Sequence, residues 1–275
     1  MTIIQTIILA IVQGITELFP ISSVGHSVIT PYVFGWKLDP LFLKENFLPF
    51  VVMMHLGTSI ALIVYFRKDW AEVITSVFGS GKNSKKIVML IIIGTLPAAI
   101  IGFVFEKKFL DIFSNVRYAA IFLIINGILL YVGENSTRRG RKSIENLNYR
   151  QAAVIGLFQS LALIPGFSRS GASMTAGFWM GLKHEASAKF SMLLATPIIA
   201  GAGILEVPKL FKPANRAILG YSIIGGIVAA IVASISITLM MKWFHKKEVN
   251  AMRPFSYYCA GLGVVVLVSS FFIAH

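Results

Sequence analysis

The chain has 275 residues, of which 56% are hydrophobic and 13% are charged, and its mean hydropathy is +0.77. The charged share is about half that of an average soluble domain, which excludes soluble enzymes and disordered chains and predicts an integral membrane protein. The formal net charge of +13 does not indicate nucleic acid, because the basic residues lie in short loops between apolar runs, where they face anionic lipid. The single cysteine, Cys259, excludes a disulfide framework and a thiolate metal cluster.

Short and long apolar runs alternate along the chain in a pattern that occurs twice. The first half has short runs at 2–16 and 28–36 and long runs at 47–66, 87–105 and 118–133, and the second half has short runs at 151–164 and 172–182 and long runs at 190–207, 217–241 and 255–274. A helix needs about 20 apolar residues to cross a bilayer, and flanking charges can snorkel to complete a shorter run. We therefore expect six transmembrane helices, with the Gly and Ala of the fifth favouring close packing.

The two short runs of each pair are separated by a segment that contains a proline, Pro20 in the first pair and Pro165 in the second. Proline breaks a helix, and irregular backbone at membrane depth survives only where it is buried or lines a cavity. We expect two re-entrant helix–loop–helix elements, each followed by three spans. An odd number of spans inverts the second half, so the sequence predicts an all-α, polytopic single domain, 1–275, with inverted repeats at about 1–133 and 151–274 joined by a basic loop, 134–150.

Lys and Arg are distributed unequally between the two sides that these spans define. Sixteen of them fall on one side and eight on the other, with Arg169 alone at membrane depth. Cytoplasmic loops carry the excess of Lys and Arg, so we expect the richer side to be cytoplasmic. Both termini and the mouth of the first re-entrant element then face outward, in a multi-pass protein of the cell membrane.

Five polar residues surround the first helix break. Gln13 and Glu17 are four residues apart and share a helix face, and the break presents Ser22, Ser23 and His26 just beyond the helix end. An acid, two hydroxyls and an imidazole are the parts of a nucleophile with its base, or of a metal or proton site. The alternative is structural, with hydroxyls bonding backbone carbonyls and His26 in an interfacial loop. Glu17 favours a functional site, because ionisable groups within the bilayer are costly.

The second break carries a basic residue. Arg169 presents a planar fork that can hold two phosphate oxygens, and a helix start near Gly171 offers free N–H groups and a positive dipole end to a phosphate. Hydroxyl groups flank the arginine at Ser168, Ser170 and Ser173. The alternative is a structural pair in which Arg169 and Glu17 neutralise each other. We prefer anion binding between the two broken helices.

Other polar residues of the apolar runs give weaker signals. Asn126 lies inside a span, where a carboxamide typically bonds between helices, and His55 lies inside another. Glu206 falls at a span end, where we expect it to be solvated or to cap the helix. No two histidines have metal-ligand spacing, so a zinc or haem site is not expected.

The two motifs, in this order, resemble those of the undecaprenyl-diphosphate phosphatase family, also called bacitracin-resistance proteins. The motifs are Gln13-x-x-x-Glu17 with Pro20-x-Ser22-Ser23-x-Gly25-His26, and Pro165-Gly166-x-Ser168-Arg169-Ser170. The likeness extends over the whole chain through motif spacing, length and number of spans. It implies hydrolysis of undecaprenyl diphosphate, the 55-carbon isoprenoid diphosphate, to undecaprenyl phosphate and phosphate, which recycles the lipid carrier of cell-wall synthesis and confers bacitracin resistance. It also implies a divalent cation, Mg or Ca.

The resemblance assigns roles by position. It implies catalytic roles for Glu17, Ser23, His26 and Arg169, with Ser23 as nucleophile and His26 as acid/base, or with His26 as the nucleophile. It implies substrate-phosphate binding by Ser22, Ser168, Arg169, Ser170, Gly171 and Ser173, the last standing where the family usually has threonine. Glu17 and Gln13 would hold the cation. Gln13 stands where the family often has Glu, so it can bind only as a neutral oxygen, and Glu17 is the one carboxylate in the two motifs.

The sequence is compatible with three alternatives to the phosphatase. A transporter or flippase of a polyprenyl phosphate or another anion uses the same inverted-repeat plan, but the Ser, His and Glu cluster favours an enzyme. A second membrane lipid-phosphatase superfamily has His six residues after its Arg, where this chain has Thr175. A purely structural protein would not need Glu17 and Arg169 at this depth. The expected partners are a polyprenyl diphosphate lipid and membrane lipids, and a homodimer is compatible with the sequence.

Overall fold

The computed structural model describes residues 1–39, 42–78, 82–112, 115–136, 140–212, 215–247 and 249–272. Within these ranges the chain is all-helical and has no β-strand, as the sequence predicts. The α-helices, in chain order, are α1 (Ile3–Thr16), α2 (Ser23–Val33), α3 (Phe47–Tyr65), α4 (Arg67–Phe78), α5 (Lys82–Ile112), α6 (Val116–Ser136), α7 (Tyr149–Gln159), α8 (Arg169–Trp179), α9 (His184–Leu210), α10 (Arg216–Lys246) and α11 (Arg253–Phe272).

Six of these helices are long and apolar enough to cross a membrane. Their spans are Phe47–Tyr65, Lys85–Phe105, Val116–Ser136, His184–Leu210, Ile218–Lys246 and Arg253–Phe272. Each predicted span falls on one of them, so the number and order of the spans are confirmed. The last predicted span extends to 274, and 273–275 lie outside the described residues. The chain is therefore a multi-pass membrane protein.

Two pairs of short helices, α1 with α2 and α7 with α8, are interrupted by non-helical segments that contain proline. Pro20 follows α1, and Ser22 then adopts a φ of 70°. After α7, a 3-10 turn at Ser160–Leu163 leads to Pro165, and Gly166 has a φ of 103°. Proline lacks the N–H that a helix needs, and a residue with positive φ cannot continue a right-handed helix. The predicted helix breaks are confirmed.

The helices after the breaks, α2 and α8, begin earlier than the sequence predicts. The second apolar run of the first element begins at 28, five residues after the start of α2, and the helix start expected near Gly171 lies two residues after the start of α8. The reason is N-capping: Ser22 Oγ accepts a hydrogen bond from Gly25 N at 3.1 Å, and Ser168 Oγ accepts one from Gly171 N at 3.0 Å. A capping serine satisfies an N–H that the first turn leaves free. The residue after each cap therefore lies in the first turn of a helix.

Two pairs of helices pack with their backbones in close contact. Helix α3 packs along α10, and α6 packs along α11. A Cβ at Gly57 of α3 would collide with the Gly226 carbonyl of α10, and a Cβ at Gly127 of α6 would lie 2.7 Å from the Ser256 carbonyl oxygen of α11. The expected close packing of 217–241 is confirmed.

The connections on one side of the bundle differ from the prediction. Helix α4 was not predicted, because its charged residues make it too polar for a span, and its Asp69 pairs with Lys189 of α9 at 2.5 Å. The predicted basic loop 134–150 is shorter, since α6 continues three residues into it and α7 occupies its last two. Its residues 137–139 lie outside the described part of the chain.

Candidate active site

The two helix breaks, far apart in the chain, meet in space. A Cβ at Gly25 would lie 3.1 Å from Gly166 Cα. Asn126 of α6 bonds both breaks, because its Nδ2 donates to the Pro20 carbonyl at 3.2 Å and its Oδ1 accepts from Ser168 N at 3.0 Å. Asn126 is fully buried, where polar groups require protein partners. The expected interhelical role of Asn126 is confirmed, and the segments that it joins are the two motifs.

Ser23, Glu17 and His55 form a hydrogen-bonded cluster at the first break. Ser23 Oγ donates to Glu17 Oε2 at 2.6 Å and lies 3.4 Å from His55 Nε2. The same histidine nitrogen is 3.1 Å from Glu17 Oε2, and His55 Nδ1 bonds the Val51 carbonyl at 2.8 Å, which fixes the ring. Gln13 Nε2 also donates to Glu17 Oε2, at 3.2 Å. A hydroxyl placed between a carboxylate and an imidazole has the arrangement of an activated nucleophile.

Arg169 contacts the same carboxylate from the second break. Its Nε and Nη2 both donate to Glu17 Oε1 at 3.2 Å, and its Nη1 donates to the Ser191 carbonyl at 2.9 Å. The structural pair, which the sequence leaves as the alternative to anion binding, is therefore present in the ligand-free protein. The pair also holds the guanidinium beside Ser23, where it can bind a phosphate group.

Hydrogen bonds within the protein hold five residues that the resemblance assigns to phosphate binding: Ser22, Ser168, Ser170, Gly171 and Ser173. The Gly171 N–H, which the sequence predicts to be free for a phosphate, donates to Ser168 Oγ because the helix starts earlier than expected. Ser170 Oγ donates to the Phe19 carbonyl at 3.1 Å and so ties the second break to the first. These residues shape the two breaks around Arg169.

His26 lies apart from the Ser23 cluster. Its Nδ1 is 2.6 Å from the Ser22 carbonyl oxygen, its Nε2 is 2.8 Å from Tyr258 Oη, and its ring stacks on that of Tyr258. His26 therefore contacts α11 and is not part of the Ser23 cluster. The imidazole beside Ser23 comes from His55 of α3, which the sequence shows only as a histidine inside a span.

A cavity of about 270 Å³ opens beside the Ser23 cluster. Its polar lining consists of Glu17, Ser23, His55, Gln159, Arg169 and Glu206. The remaining walls are apolar and come from Val24 of α2, from α3, α5 and α9, and from the segment 162–167. Glu206 is buried and pairs with Lys209 at 2.6 Å, so, of the two expectations for this carboxylate, the solvated one is wrong. The reason is that α9 continues past the predicted span end and packs this turn into the protein.

Gln13 and Glu17 carry oxygen atoms of the kind that Mg and Ca prefer as ligands. Gln13 Oε1 is buried and has no hydrogen-bond partner among the described residues, and it shares a helix face with the Glu17 carboxylate. Within the described ranges, no group of three or more His, Cys, Asp or Glu side chains forms a metal site. One carboxylate and one amide oxygen suit Mg or Ca bound also to phosphate oxygens and water.

Known proteins are similar to this chain over nearly its whole length. The sequence model of the bacitracin resistance protein BacA family matches residues 6–265. Undecaprenyl-diphosphatase 2 of Oenococcus oeni is 60% identical over 269 residues, covering 98% of this chain and 99% of the relative. Undecaprenyl-diphosphatase of Gluconacetobacter diazotrophicus is 44% identical over 286 residues (99% and 97%), and that of Acidiphilium cryptum is 41% identical over 278 residues (98% and 98%).

Proposed function

Because the chain belongs to the bacitracin resistance protein BacA family, we propose that it hydrolyses undecaprenyl diphosphate to undecaprenyl phosphate and phosphate in the membrane. This reaction returns the lipid carrier to cell-wall synthesis and confers resistance to bacitracin. The observation that carries the proposal is the contact in which Ser23 Oγ donates to Glu17 Oε2 at 2.6 Å, beside the guanidinium of Arg169.

The cavity suits an amphipathic substrate. Its polar residues, which include Ser23, His55 and Arg169, can face a diphosphate, and its apolar walls from α3, α5 and α9 can face an isoprenoid chain. Ligand sites typically combine a mostly apolar lining with a few placed polar groups. A polyprenyl diphosphate has both parts in one molecule, which is why it fits better than a free phosphate anion.

The proposed reaction has two steps. First, Ser23 Oγ attacks the terminal phosphorus, so the Oγ–P bond forms and the bond from phosphorus to the bridging oxygen breaks. The Ser23 proton passes to Glu17 or to His55 Nε2 and then to the bridging oxygen of the leaving undecaprenyl phosphate. Second, water attacks the phosphorus of the phosphoserine, so a bond from the water oxygen to phosphorus forms and the Oγ–P bond breaks, which releases phosphate, and a proton of that water restores the Ser23 hydroxyl. Arg169 stabilises the charge on the phosphoryl oxygens in both steps.

Ser23 is preferred over His26 as the nucleophile on geometric grounds. Ser23 lines the cavity with its hydroxyl bonded to Glu17. Both ring nitrogens of His26 are bonded elsewhere, to the Ser22 carbonyl and to Tyr258. The position of His26 suits a residue that holds the first turn of α2.

Mg or Ca is the proposed cofactor. The support is the buried Oε1 of Gln13, which lacks a partner within the described residues and lies one helical turn from the Glu17 carboxylate. A divalent cation bound by Gln13, Glu17 and the diphosphate would supply charge neutralisation at the phosphate oxygens. Glu17 would then orient both the cation and the Ser23 hydroxyl.

We also propose that α1–α2 and α7–α8 are re-entrant elements of one membrane domain with inverted repeats at about 1–133 and 151–274. The support is that each short pair precedes three spans, and three spans invert the second half. In this arrangement the cavity-lining residues Leu48, Phe103 and Glu206 lie near span ends on the side with fewer Lys and Arg. By the positive-inside rule, both termini and the cavity mouth face outward.

The test measures phosphate release from undecaprenyl diphosphate by the purified protein in detergent, with Mg, with Ca and with a chelator. Arg169→Ala is compared with Arg117→Ala, which removes an arginine that lies over Phe271 rather than in the cavity, at a temperature where both variants remain folded. We expect cation-dependent release by the wild type and by Arg117→Ala, and none by Arg169→Ala.

No release by the folded wild type would overturn the proposal. The comparisons do not support the alternative of a transporter or flippase. That alternative would require movement of the lipid across vesicle membranes without phosphate release.

A further inference from the structure

Gln159 is a buried carboxamide that lines the cavity and has no hydrogen-bond partner among the described residues. It ends α7, it is 1% exposed, and both its Nε2 and its Oε1 lack hydrogen-bond partners within the described part of the chain. The same cavity is lined by Glu17, Ser23 and Arg169. A buried polar group without a partner is destabilising, so its position in a cavity indicates that a ligand supplies the partner.

The corresponding residue of the other broken helix shows why Gln159 is unpaired. Gln13 precedes Gln159 by the 146 positions that also separate Ser22 from Ser168. Gln13 donates through Nε2 to Glu17, the carboxylate four residues later on the same helix face. Four residues after Gln159 the chain has Leu163, so the second carboxamide has no carboxylate at that position of its own helix face.

Most of the other donors of the cavity are already engaged, and Arg169 keeps one further N–H on each of its two Nη atoms for a phosphate. Arg169 uses Nε and Nη2 on Glu17 and Nη1 on the Ser191 carbonyl, and Ser23 donates to Glu17. A diphosphate has many acceptor oxygens, and amide N–H groups can donate to them without adding charge. Gln159 therefore offers donors that no other described contact of the site uses.

We propose that Gln159 is a substrate-binding residue: its Nε2 donates hydrogen bonds to oxygens of the diphosphate, and its Oε1 accepts from water that accompanies the diphosphate. This role rests on the proposed function and adds a third anchor beside Arg169 and the first break. Because the contact exists only with ligand, it should contribute to binding and not to the stability of the ligand-free protein.

The experiment uses the apolar variant Gln159→Leu, with Thr196→Val as a matched control. Thr196 has an unpartnered Oγ1 in the described structure and is also buried, at 8% exposed, but it is not part of the cavity lining. Each change removes an unpartnered polar group, so we expect the melting temperature of each ligand-free variant to equal or exceed that of the wild type. Inorganic pyrophosphate with Mg is the binding probe, read as the rise in melting temperature.

We expect pyrophosphate to stabilise the wild type and Thr196→Val equally, and to lose most of its effect on Gln159→Leu. The KM for undecaprenyl diphosphate should rise by about tenfold or more in Gln159→Leu, as for loss of a hydrogen bond to a charged group, with a smaller change in kcat. A structural role for Gln159 would instead lower the melting temperature of the ligand-free variant.

A second variant keeps the inference testable if Gln159→Leu does not fold. Gln159→Glu has the same size and places a negative charge against the diphosphate, so its KM should rise further than that of Gln159→Leu. An unchanged KM and unchanged pyrophosphate stabilisation in either folded variant would overturn the role of Gln159 and leave the proposed function intact. Absence of phosphate release by the wild type, with pyrophosphate binding that still depends on Gln159, would overturn the proposed function alone.

Discussion

Glu17 and Arg169 are joined by a forked contact, in which one carboxylate oxygen, Oε1, accepts from both Nε and Nη2 of the guanidinium at 3.2 Å. The other oxygen, Oε2, is thereby left to Ser23, Gln13 and His55. A single carboxylate divides its two oxygens between the two motifs. Its charge and its geometry are consequently shared by the nucleophile and the phosphate clamp.

Removal of one member of this pair should destabilise the protein more than removal of both. Glu17→Leu leaves a buried guanidinium and Arg169→Leu leaves a buried carboxylate, and each should lower the free energy of unfolding by about 3–5 kcal/mol. The double variant removes both charges and should recover much of that loss, while remaining inactive. Thermal unfolding in detergent of the wild type and the three variants measures the coupling, and strictly additive losses would contradict it.

Ser23→Ala should abolish turnover with little effect on folding. We expect the rate of phosphate release to fall by at least about a thousandfold, as when a nucleophile is removed from an enzyme. Ser27→Ala is the control, because Ser27 is fully buried one turn later on α2 and its Oγ has no partner among the described residues. Its rate should stay near that of the wild type. A Ser23→Ala protein with the wild-type rate would transfer the nucleophile's role to His26.

Gly166→Ala should destabilise the protein at the second break. Gly166 has a φ of 103°, and a Cβ there would collide with the Ala119 carbonyl, so we expect a loss of about 3 kcal/mol or more. Gly261→Ala lies in the interior of α11 with nothing within 4 Å of its new Cβ. That control should gain about 0.5–1 kcal/mol, because alanine favours the helix. Equal melting temperatures for the two variants would contradict the packing described for the break.

Gln13→Glu should increase the response to a divalent cation. The new carboxylate lies one turn from Glu17, so the two like charges should destabilise the cation-free protein and strengthen cation binding. We expect the Mg or Ca concentration for half-maximal phosphate release to fall by about tenfold, since affinity follows the charge of the ligands. Gln13→Leu removes the amide oxygen and should raise that concentration. An unchanged cation dependence in both variants would exclude Gln13 as a ligand.

The spans and breaks could be predicted from the sequence because each depends on local composition. Runs of about 20 apolar residues have few alternatives to a membrane span, and Pro20 and Pro165 interrupt helices wherever they occur. The starts of α2 and α8 were missed by a few residues, because polar capping serines look like loop residues in an apolar pattern. Helix α4 was missed because its charged residues hide a short amphipathic helix.

The site was predicted less completely, because two of its residues, His55 and Gln159, lie outside the two motifs. Glu17, Ser23 and Arg169 are clustered in motifs, and the structure brings them together. The position of His55 beside Ser23 depends on how α3 packs, which no local pattern shows. In the sequence Gln159 is only a glutamine 146 positions after Gln13, and the lack of hydrogen-bond partners for its amide among the described residues depends on the tertiary structure.

Asn126 has a consequence for any compound directed at this site. Its one carboxamide bonds the Pro20 carbonyl and the Ser168 N–H at once, so a displacement of either break is transmitted through a few covalent bonds to the other. An inhibitor that separates the two motifs must break both hydrogen bonds in a fully buried place, whereas one that fills the existing cavity breaks neither. Rigid compounds shaped to the cavity as it stands should therefore be better starting points than wedges that require it to open.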